Sequence, residues 1–500
     1  MTRDLYKFLT SKCKERGIKI EELPRRFHNQ YSRSTIYRYM KGILHMTPEV
    51  QALFVKLLNL NHMEQAQFTK LISLSVYDES MIAARKELDH FLFSPKEEYS
   101  ALPDIELVFY DNDRYIRTID EIISIIQDLT RHDSFSCDIK IIGCIQSNIL
   151  EYFSDFIKHI FLISPSSTAE HLVVFSEKDY LQNIMLLMNI LPLLTSEHYH
   201  VFYHELTSPG SIKTLFDNTL ILSCKYQENN VWAENHYIIS FLEHGMPECI
   251  SFDDQYMYNF FMKNYMNYKQ SFKNALTKSK NLTLIDNELL RLEEKHDVYM
   301  IKQNNCYNKI PKSVYRSMLS RLTSDEKMMF ASFVSQESIK DESLAHDGIE
   351  DILEILDKRV KCSFKNKQID VYSKEGLISL AKTGRISDQL DALPSFSKEE
   401  TKTILAYIRD RNSNPKDNYT LFLVDELKVL DSIVVFKDYG IIIEYDHPNL
   451  LQGIFKNLTI CNQNLIDIFI DYIENHLPIN HALSKEKATA FINEVIREYL

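Results

Sequence analysis

The sequence predicts an α+β multidomain fold. An all-α head of five short helices is followed by a large mixed α/β body, for which an internally duplicated module is one interpretation. Two observations predict this organisation. Over roughly the first 75 of 500 residues, apolar side chains recur at helical spacing between helix-capping residues. After residue 104, short apolar runs typical of strands alternate with amphipathic helical stretches.

Two local patterns predict the first part of the head. Apolar residues at helical spacing predict a first helix that ends near Gly17, a plausible C-cap; they are Leu5, Phe8, Leu9 and Cys13. A second short helix is expected over residues 19–27. Pro24 lies inside it and should strain or shorten it, because proline removes a backbone hydrogen bond.

Capping residues delimit the rest of the head. Ser32 stands where an N-cap is expected, before the helix "RSTIYRYMK", and Gly42 follows that helix. Thr47 and Pro48 begin a fourth helix, with proline at the favourable first position. A fifth helix is predicted over residues 62–74.

Charge is distributed unevenly between head and body. Residues 1–75 contain 13 Lys+Arg and six Asp+Glu, a formal charge of +7, whereas the whole chain carries −13. The remainder therefore has 44 basic and 64 acidic residues. A basic head on an acidic body predicts that the head binds a polyanion and that the body does not.

The order of elements in "GIKIEELPRRFHNQYSRSTIYRYMKG" and "TPEVQALFVKLLNL" resembles the Xre-type, phage-repressor-like helix-turn-helix family. The resemblance covers about 15% of the chain. Pro24 stands where the family usually has alanine, and the turn "FHNQYS" is slightly longer than usual.

This resemblance implies that the third helix enters the major groove of double-stranded DNA. Ile36 and Tyr39 would then face the core of the head. The implied base-contacting residues are Arg33, Ser34, Tyr37 and Arg38, and the implied phosphate-contacting residues are Lys19, Ser32, Thr35 and Lys41.

The remainder divides into three expected segments. Residues 76–103 read as a connecting helix and a linker, because "SPKEEYSALPD" has two prolines and little apolar periodicity. Residues 104–276 and 283–500 each contain strand-like and helical runs and are predicted to be α/β modules, the first for sensing and the second for sensing or dimerisation. The second module ends in a helix that Ser484 is expected to cap.

An internal similarity suggests that the two modules are copies. "ISFDDQYMYNFFMKN" from Ile250 aligns without gaps with "IEYDHPNLLQGIFKN" from Ile443, 193 residues later, and "FDNTLILSC" from Phe216 parallels "KDNYTLFLV" from Lys416. Chance similarity of two strand-to-helix segments is the alternative.

The usual catalytic spacings are missing from the sequence. It contains no G-x-x-x-x-G-K-[ST], G-x-G-x-x-G, G-x-S-x-G or H-E-x-x-H motif. The body resembles phospholipase-D-like modules in outline, but none of the 17 histidines is followed two residues later by lysine, as that family's H-x-K signature requires. We therefore expect no enzyme and no cofactor.

Three weaker patterns have structural explanations at least as good as functional ones. His198 and His200 would lie on one face of a strand, which is weak support for a metal site. Cys137 and Cys144 have no histidine partner that would suggest redox chemistry or metal binding. Trp232 and the tyrosine-rich segment after residue 255 favour core packing over a ligand pocket. No metal site is predicted.

The function predicted from these observations is a sequence-specific DNA-binding transcriptional regulator whose acidic C-terminal body serves dimerisation, effector sensing or both. The expected partners are double-stranded DNA, a second copy of the chain and a small-molecule or peptide effector. The alternative is a protein-interaction scaffold whose helix-turn-helix head binds a protein.

The expected location is the cytoplasm, without a membrane partner. The eight cysteines are scattered without a C-x-x-C pair, as in reduced cytosolic proteins. The N-terminus has no signal-peptide core, and the most apolar run, "IMLLMNILPLL", is too short to span a bilayer.

Overall fold

The structure is a computed structural model of the 500-residue chain. It describes residues 2–27, 31–41, 46, 48–61, 63–65, 67–68, 71, 79–94, 116–117, 128, 131, 134–143, 157–158, 160–162, 164–176, 179–204, 219–241, 247–252, 255–279, 282–304, 310–335, 342–386, 389, 393–428, 432–444 and 455–500. Several expectations fall outside these ranges, among them those for Gly42, Thr47, Cys144 and the linker after Ser94.

The described residues form two compact units. The first contains residues 1–88 and 179–181, and the second contains residues 89–178 and 182–500. Both sheets of the body therefore belong to one compact unit. The four-segment division proposed from the sequence stays a prediction.

The first unit contains the helical head. Its helices are α1 (Thr2–Glu15), a 3₁₀ turn (Ile20–Glu22), α2 (Leu23–Arg26), α3 (Arg33–Met40) and α4 (Pro48–Leu57), and α5 (Glu79–Phe93) begins in this unit. Residues 63–65, 67–68 and 71 are also helical. The residues expected to drive α1 into the core are all buried: Leu5, Phe8, Leu9 and Cys13.

Pro24 shortens the second helix in the expected way. Residues 20–22 form a 3₁₀ turn, and α2 begins only at Leu23, which places Pro24 in its first turn. Proline is tolerated there because a first-turn N–H has no partner inside the helix. Leu23 is fully buried and anchors α2 to the core of the head.

The first sheet of the body has eight strands in the order β1-β7-β6-β5-β2-β3-β4-β8. Their bounds are β1 (Ile116–Arg117), β2 (Ser136–Ile142), β3 (Thr168–Val174), β4 (Tyr199–His204), β5 (Thr219–Glu228), β6 (Val231–Phe241), β7 (Pro247–Phe252) and β8 (Lys273–Asn274). Strands β2, β3 and β4 are parallel, whereas β5, β6 and β7 form an antiparallel meander beside β2.

The second sheet has seven strands in the order β12-β11-β10-β13-β14-β15-β9. Their bounds are β9 (Leu276–Ser279), β10 (Val298–Lys302), β11 (Gln368–Ser373), β12 (Tyr419–Val424), β13 (Ser432–Phe436), β14 (Gly440–Glu444) and β15 (Phe455–Ile460). Strands β10, β11 and β12 are parallel, and β13, β14 and β15 form an antiparallel meander beside β10.

Six strands of each sheet thus follow the same order and direction. The counterparts by position are β5 and β13, β6 and β14, and β7 and β15. The sequence alignment had paired Ile250 on β7 with Ile443 on β14, and the run that contains β5 with the run that contains β12. The two strands of each aligned pair occupy different positions in their sheets, so the alignment of the two sequence segments does not match the strand order. Alternating apolar strands look alike in sequence, because side-chain period alone does not encode the order of strands in a sheet.

Helices cover the sheets. They are α6 (Tyr180–Ile190), α7 (Gln255–Lys269), α8 (Leu282–Glu293), α9 (Lys312–Ser320), α10 (Ser324–Ser335), α11 (Glu342–Cys362), α12 (Lys374–Thr383), α13 (Lys398–Ser413), α14 (Gln463–Asp471), a π-helix (Tyr472–His476), α15 (Leu477–Asn480) and α16 (Lys485–Tyr499). Ser484 caps α16 as expected, accepting the Lys487 N–H.

Strands β10 and β11 of the second sheet are buried on both faces, as is typical of parallel strands between helices. No helix in the described ranges is both long enough and apolar enough to cross a bilayer.

Candidate functional site

The exposed face of α3 is the first candidate site. Arg33, Ser34, Tyr37 and Arg38 are all exposed, and they are the four residues expected to contact bases. On the opposite face Ile36 and Tyr39 are buried, as expected, together with Met40. This division follows from 3.6 residues per turn, which puts the apolar positions on one side of a two-turn helix.

The start of α3 is held by a side-chain cap. The Ser32 hydroxyl accepts the Thr35 N–H at 3.1 Å, and the hydroxyls of the two residues lie 2.8 Å apart. Both residues were expected to contact phosphates. In the structure their hydroxyls form the cap of α3, and their contact with phosphate stays a prediction.

Tyr37 is fixed by contacts with two neighbours. Its ring packs edge-on against Tyr6 with centroids 5.6 Å apart, and the two phenol oxygens lie 3.3 Å from each other. That hydrogen bond is the main reason why the pKa of the Tyr6 phenol is raised. The Lys41 ammonium lies 4.7 Å from the Tyr37 ring centroid. Lys41 is therefore half-buried beside the face, whereas Lys19 is exposed at the 3₁₀ turn.

Arg33 makes only a weak ion pair. Its guanidinium lies 3.4 Å from Glu21, with 68% and 60% of the two side chains exposed. Exposed pairs of this kind contribute little to stability, because water screens them. Arg33 is consequently available to exchange Glu21 for an external anion. The structure thus brings Arg33, Tyr37 and Arg38 together on one exposed surface.

A second polar cluster lies in the body, and sequence reasoning missed it. The Asp89 carboxylate receives His476 Nε2 at 2.8 Å on one oxygen and His481 Nε2 at 2.9 Å on the other. Tyr472 also donates its hydroxyl to Asp89, at 2.5 Å. Asp89 lies on α5, whereas the other three residues lie at the π-helix and around α15.

No local sequence signal identifies this cluster. Asp89 is 387 residues from His476 and 392 residues from His481. The two histidines are five apart, which places them on different faces of a regular α-helix. Only the π-turn before α15 and the packing of α5 bring the three side chains together.

The histidine pair noted in the sequence forms no such group. His198 precedes β4 and its ring centroid lies 6.0 Å from that of Phe161, while His200 sits within β4 opposite Glu170 of β3. Neither belongs to a potential metal-binding group among the residues that the structure describes. His171 is fully buried, and burial lowers its pKa to about 4. It is 2.7 Å from the Tyr199 hydroxyl and is a neutral core residue.

Trp232 does not line a closed aromatic pocket. It lies beside the hairpin turn of Asn229 and Asn230, and 63% of it is exposed. The tyrosine-rich segment is α7, which buries Tyr265 and exposes Tyr256 and Phe260 on another face. Core packing therefore explains one face of α7, in line with the alternative preferred from the sequence.

Neither a protein-family model nor a curated protein sequence matches the chain. Among solved structures, the chain is similar to the crystal structure of phosphatidylserine synthase from Haemophilus influenzae Rd KW20. The identity is 10% and the TM-score 0.22, over 75% of this chain and 91% of that one.

The matched protein bears the name of an enzyme and not of a DNA-binding regulator. This finding overturns the function predicted from the sequence, and the assignment as a sequence-specific transcriptional regulator with an effector-sensing body is withdrawn. A TM-score of 0.22 assigns no reaction to this chain in its place.

Proposed function

We propose that the head is a polyanion-binding module and that its partner is double-stranded DNA. The proposal concerns the binding partner of the head and assigns no regulatory role to the chain. The observation that carries it is the exposed surface of α3, on which Arg33, Tyr37 and Arg38 lie together in a head of formal charge +7.

Electrostatics supports a polyanion. Lysine and arginine side chains that neutralise phosphates release condensed counterions, which drives association at moderate salt. Arg33 is held only by the exposed contact with Glu21. A phosphodiester of DNA would replace that carboxylate with a partner of equal charge that belongs to a polyanion.

The shape of α3 supports a duplex over an unstructured polyanion. An α-helix fits the major groove of B-form DNA, which is about 12 Å wide. The N-terminal end of α3 is accessible, because Ser32, Arg33 and Ser34 are exposed, and backbone N–H groups at helix N-termini bind phosphate. The Xre-type resemblance of the head agrees with this mode of binding, with Ser34, Tyr37 and Arg38 toward the base edges.

The test is fluorescence-anisotropy binding of the full chain to a labelled duplex over a range of salt concentrations. Each phosphate contact contributes about 0.9 to the slope of log affinity against log salt. Replacing Arg33, which would meet a phosphate in place of Glu21, by Ala should therefore make that slope shallower by about 0.9. Lys56→Ala is the matched control, because Lys56 is an exposed cation on α4.

Two outcomes would contradict the proposal. Equal losses of DNA affinity in Arg33→Ala and Lys56→Ala would mean that the charge of the head matters for binding but the exposed face of α3 does not. Equal affinity for the duplex and for a polyglutamate of the same charge would favour the alternative, an acidic protein surface as the partner.

Two further features are proposed together with this function. The chain acts as a homodimer, because one small head contributes few phosphate contacts and two heads on one duplex would add theirs. Light scattering coupled to size exclusion tests this.

The common order of six strands in the two sheets supports an ancestral duplication of one module, with β6 and β14 as counterparts.

A further inference from the structure

Three side chains of the types that bind transition metals meet in the second compact unit. Asp89, His476 and His481 are the one group of histidine, cysteine and carboxylate residues within the described ranges whose ligand atoms all lie within 4.8 Å of one another. The group contributes two imidazole nitrogens and a carboxylate.

We propose that Asp89, His476 and His481 form a binding site for one divalent transition metal ion of the Zn²⁺ class. Imidazole and carboxylate are ordinary zinc ligands, and three protein ligands leave a fourth tetrahedral position for water. Ca²⁺ and Mg²⁺ are disfavoured, because those ions take oxygen ligands.

The distances suit such an ion. With bonds of about 2.0–2.1 Å in a tetrahedral site, neighbouring ligand atoms are about 3.3 Å apart. The two nitrogen-to-oxygen distances are 2.8 and 2.9 Å, each to a different oxygen of Asp89. A shift of about half an ångström per side chain would therefore make room for the ion between them.

The surroundings orient the ligands. Tyr472 donates to Asp89, the ring of Phe93 stacks on His481 with centroids 4.3 Å apart, and the Asn480 amide lies 3.3 Å from His476 Nδ1. The hydrogen bond from Tyr472 and the stacking of Phe93 hold the carboxylate and the His481 ring in place, as the partners around metal ligands do. In the described arrangement, Nε2 of each imidazole faces Asp89. Metal binding at Nε2 leaves the proton of a neutral ring on Nδ1, where water accepts it, and the Asn480 Nδ2 group that now lies 3.3 Å from His476 Nδ1 must turn away.

The local backbone and the exposure are also appropriate. His476 is the last residue of the π-helix, and π-turns interrupt helices at functional sites more often than elsewhere. The side chains of His476, Asp89 and His481 are 20%, 29% and 31% exposed, so an ion can enter and a water can complete its coordination.

The experiment uses the untagged full chain, stripped with a chelator and titrated with Zn²⁺ in a calorimeter. The wild type should bind one equivalent, and Asp89→Asn and His481→Gln should each weaken binding at this site at least 100-fold. His346→Gln is the control, since His346 is an exposed histidine on α11 outside the cluster. Asp89→Asn keeps the shape of the side chain, which separates lost coordination from lost folding when circular dichroism is unchanged.

X-ray absorption of the zinc-loaded chain distinguishes this site from a cysteine site. We expect a nitrogen and oxygen shell at about 2.0–2.1 Å, and a sulfur shell at about 2.3 Å would overturn the proposal. So would wild-type affinity that both variants retain, or an absence of one-equivalent binding.

Discussion

Replacing Arg359 by methionine should strongly destabilise the second sheet and its helices. Arg359 lies on α11 and is buried, and its guanidinium forms two hydrogen bonds to Glu293, at 2.9 and 3.0 Å, and another to Asp286. Both carboxylates lie on α8, seven residues apart and therefore on one helical face. Arg359 thus joins α8 to α11.

The expected loss of stability depends on the two buried carboxylates that remain after the substitution. Methionine fills much of the volume, but two buried carboxylates lose their cation. Removing one partner of a buried ion pair costs about 3–5 kcal/mol. We expect a loss in this range at pH 7 in the free energy of opening around β10 and α11.

The effect should depend on pH with a definite sign. Burial, aided by repulsion from Glu293, raises the pKa of Asp286 to about 6 even though Arg359 attracts the ionised form. In the unfolded chain this pKa is about 3.9. The folded state therefore binds the proton more tightly, so the contribution of Asp286 to stability is fully present below about pH 4 and is lost as the pH rises through about 6. In the variant Asp286 has lost its cation and is easier to protonate, so the loss of opening free energy relative to wild type should be smaller at pH 5 than at pH 7.

Native-state hydrogen exchange on peptides from β10 and α11 is the suitable assay, because it measures local opening and needs no two-state unfolding of a 500-residue chain. Lys361→Met is the control, since its ion pair with Asp357 is on the exposed side of α11 and should leave exchange unchanged. Adding Asp286→Asn and Glu293→Gln to Arg359→Met should recover much of the loss. A deficit below about 1 kcal/mol at pH 7, or an equal deficit at both pH values, would refute the account of a buried, desolvated cluster.

Two other predictions rest on local geometry. Cys137 and Cys224 face each other across β2 and β5, and their sulfurs lie 3.4 Å apart. The hydrogen bond to Cys224 and burial raise the pKa of Cys137 well above its usual value, and both thiols are buried. We therefore expect both thiols to resist iodoacetamide until the sheet opens, and rapid labelling of either one in the native chain would contradict this. Gly384→Ala should cost more local stability than Gly17→Ala in hydrogen exchange. Both glycines have φ near +65°, but a Cβ at Gly384 would lie 2.1 Å from a backbone oxygen, whereas a Cβ at Gly17 meets nothing within 4 Å. Equal losses of local stability in the two variants would mean that only the left-handed backbone matters.

The local elements were largely predictable from the sequence. Ser32 caps α3 and Ser484 caps α16, because a serine side chain satisfies an N–H only two or three residues away. Ile36 and Tyr39 are buried and Arg33 is exposed, since helical spacing alone separates them. The exposed and buried residues of α3 could therefore be predicted from the sequence.

What the tertiary structure decided involves residues that are distant in the chain. The order of strands in both sheets, in which β6 and β14 occupy the same position, depends on hydrogen-bond pairing that apolar alternation does not specify. The cluster of Asp89 with His476 and His481 likewise exists only because α5 packs beside a π-turn almost 400 residues later. The sequence by itself determined which side chains a short element buries or exposes, because that depends on backbone period. It did not determine which distant side chains meet, because that depends on how whole elements pack.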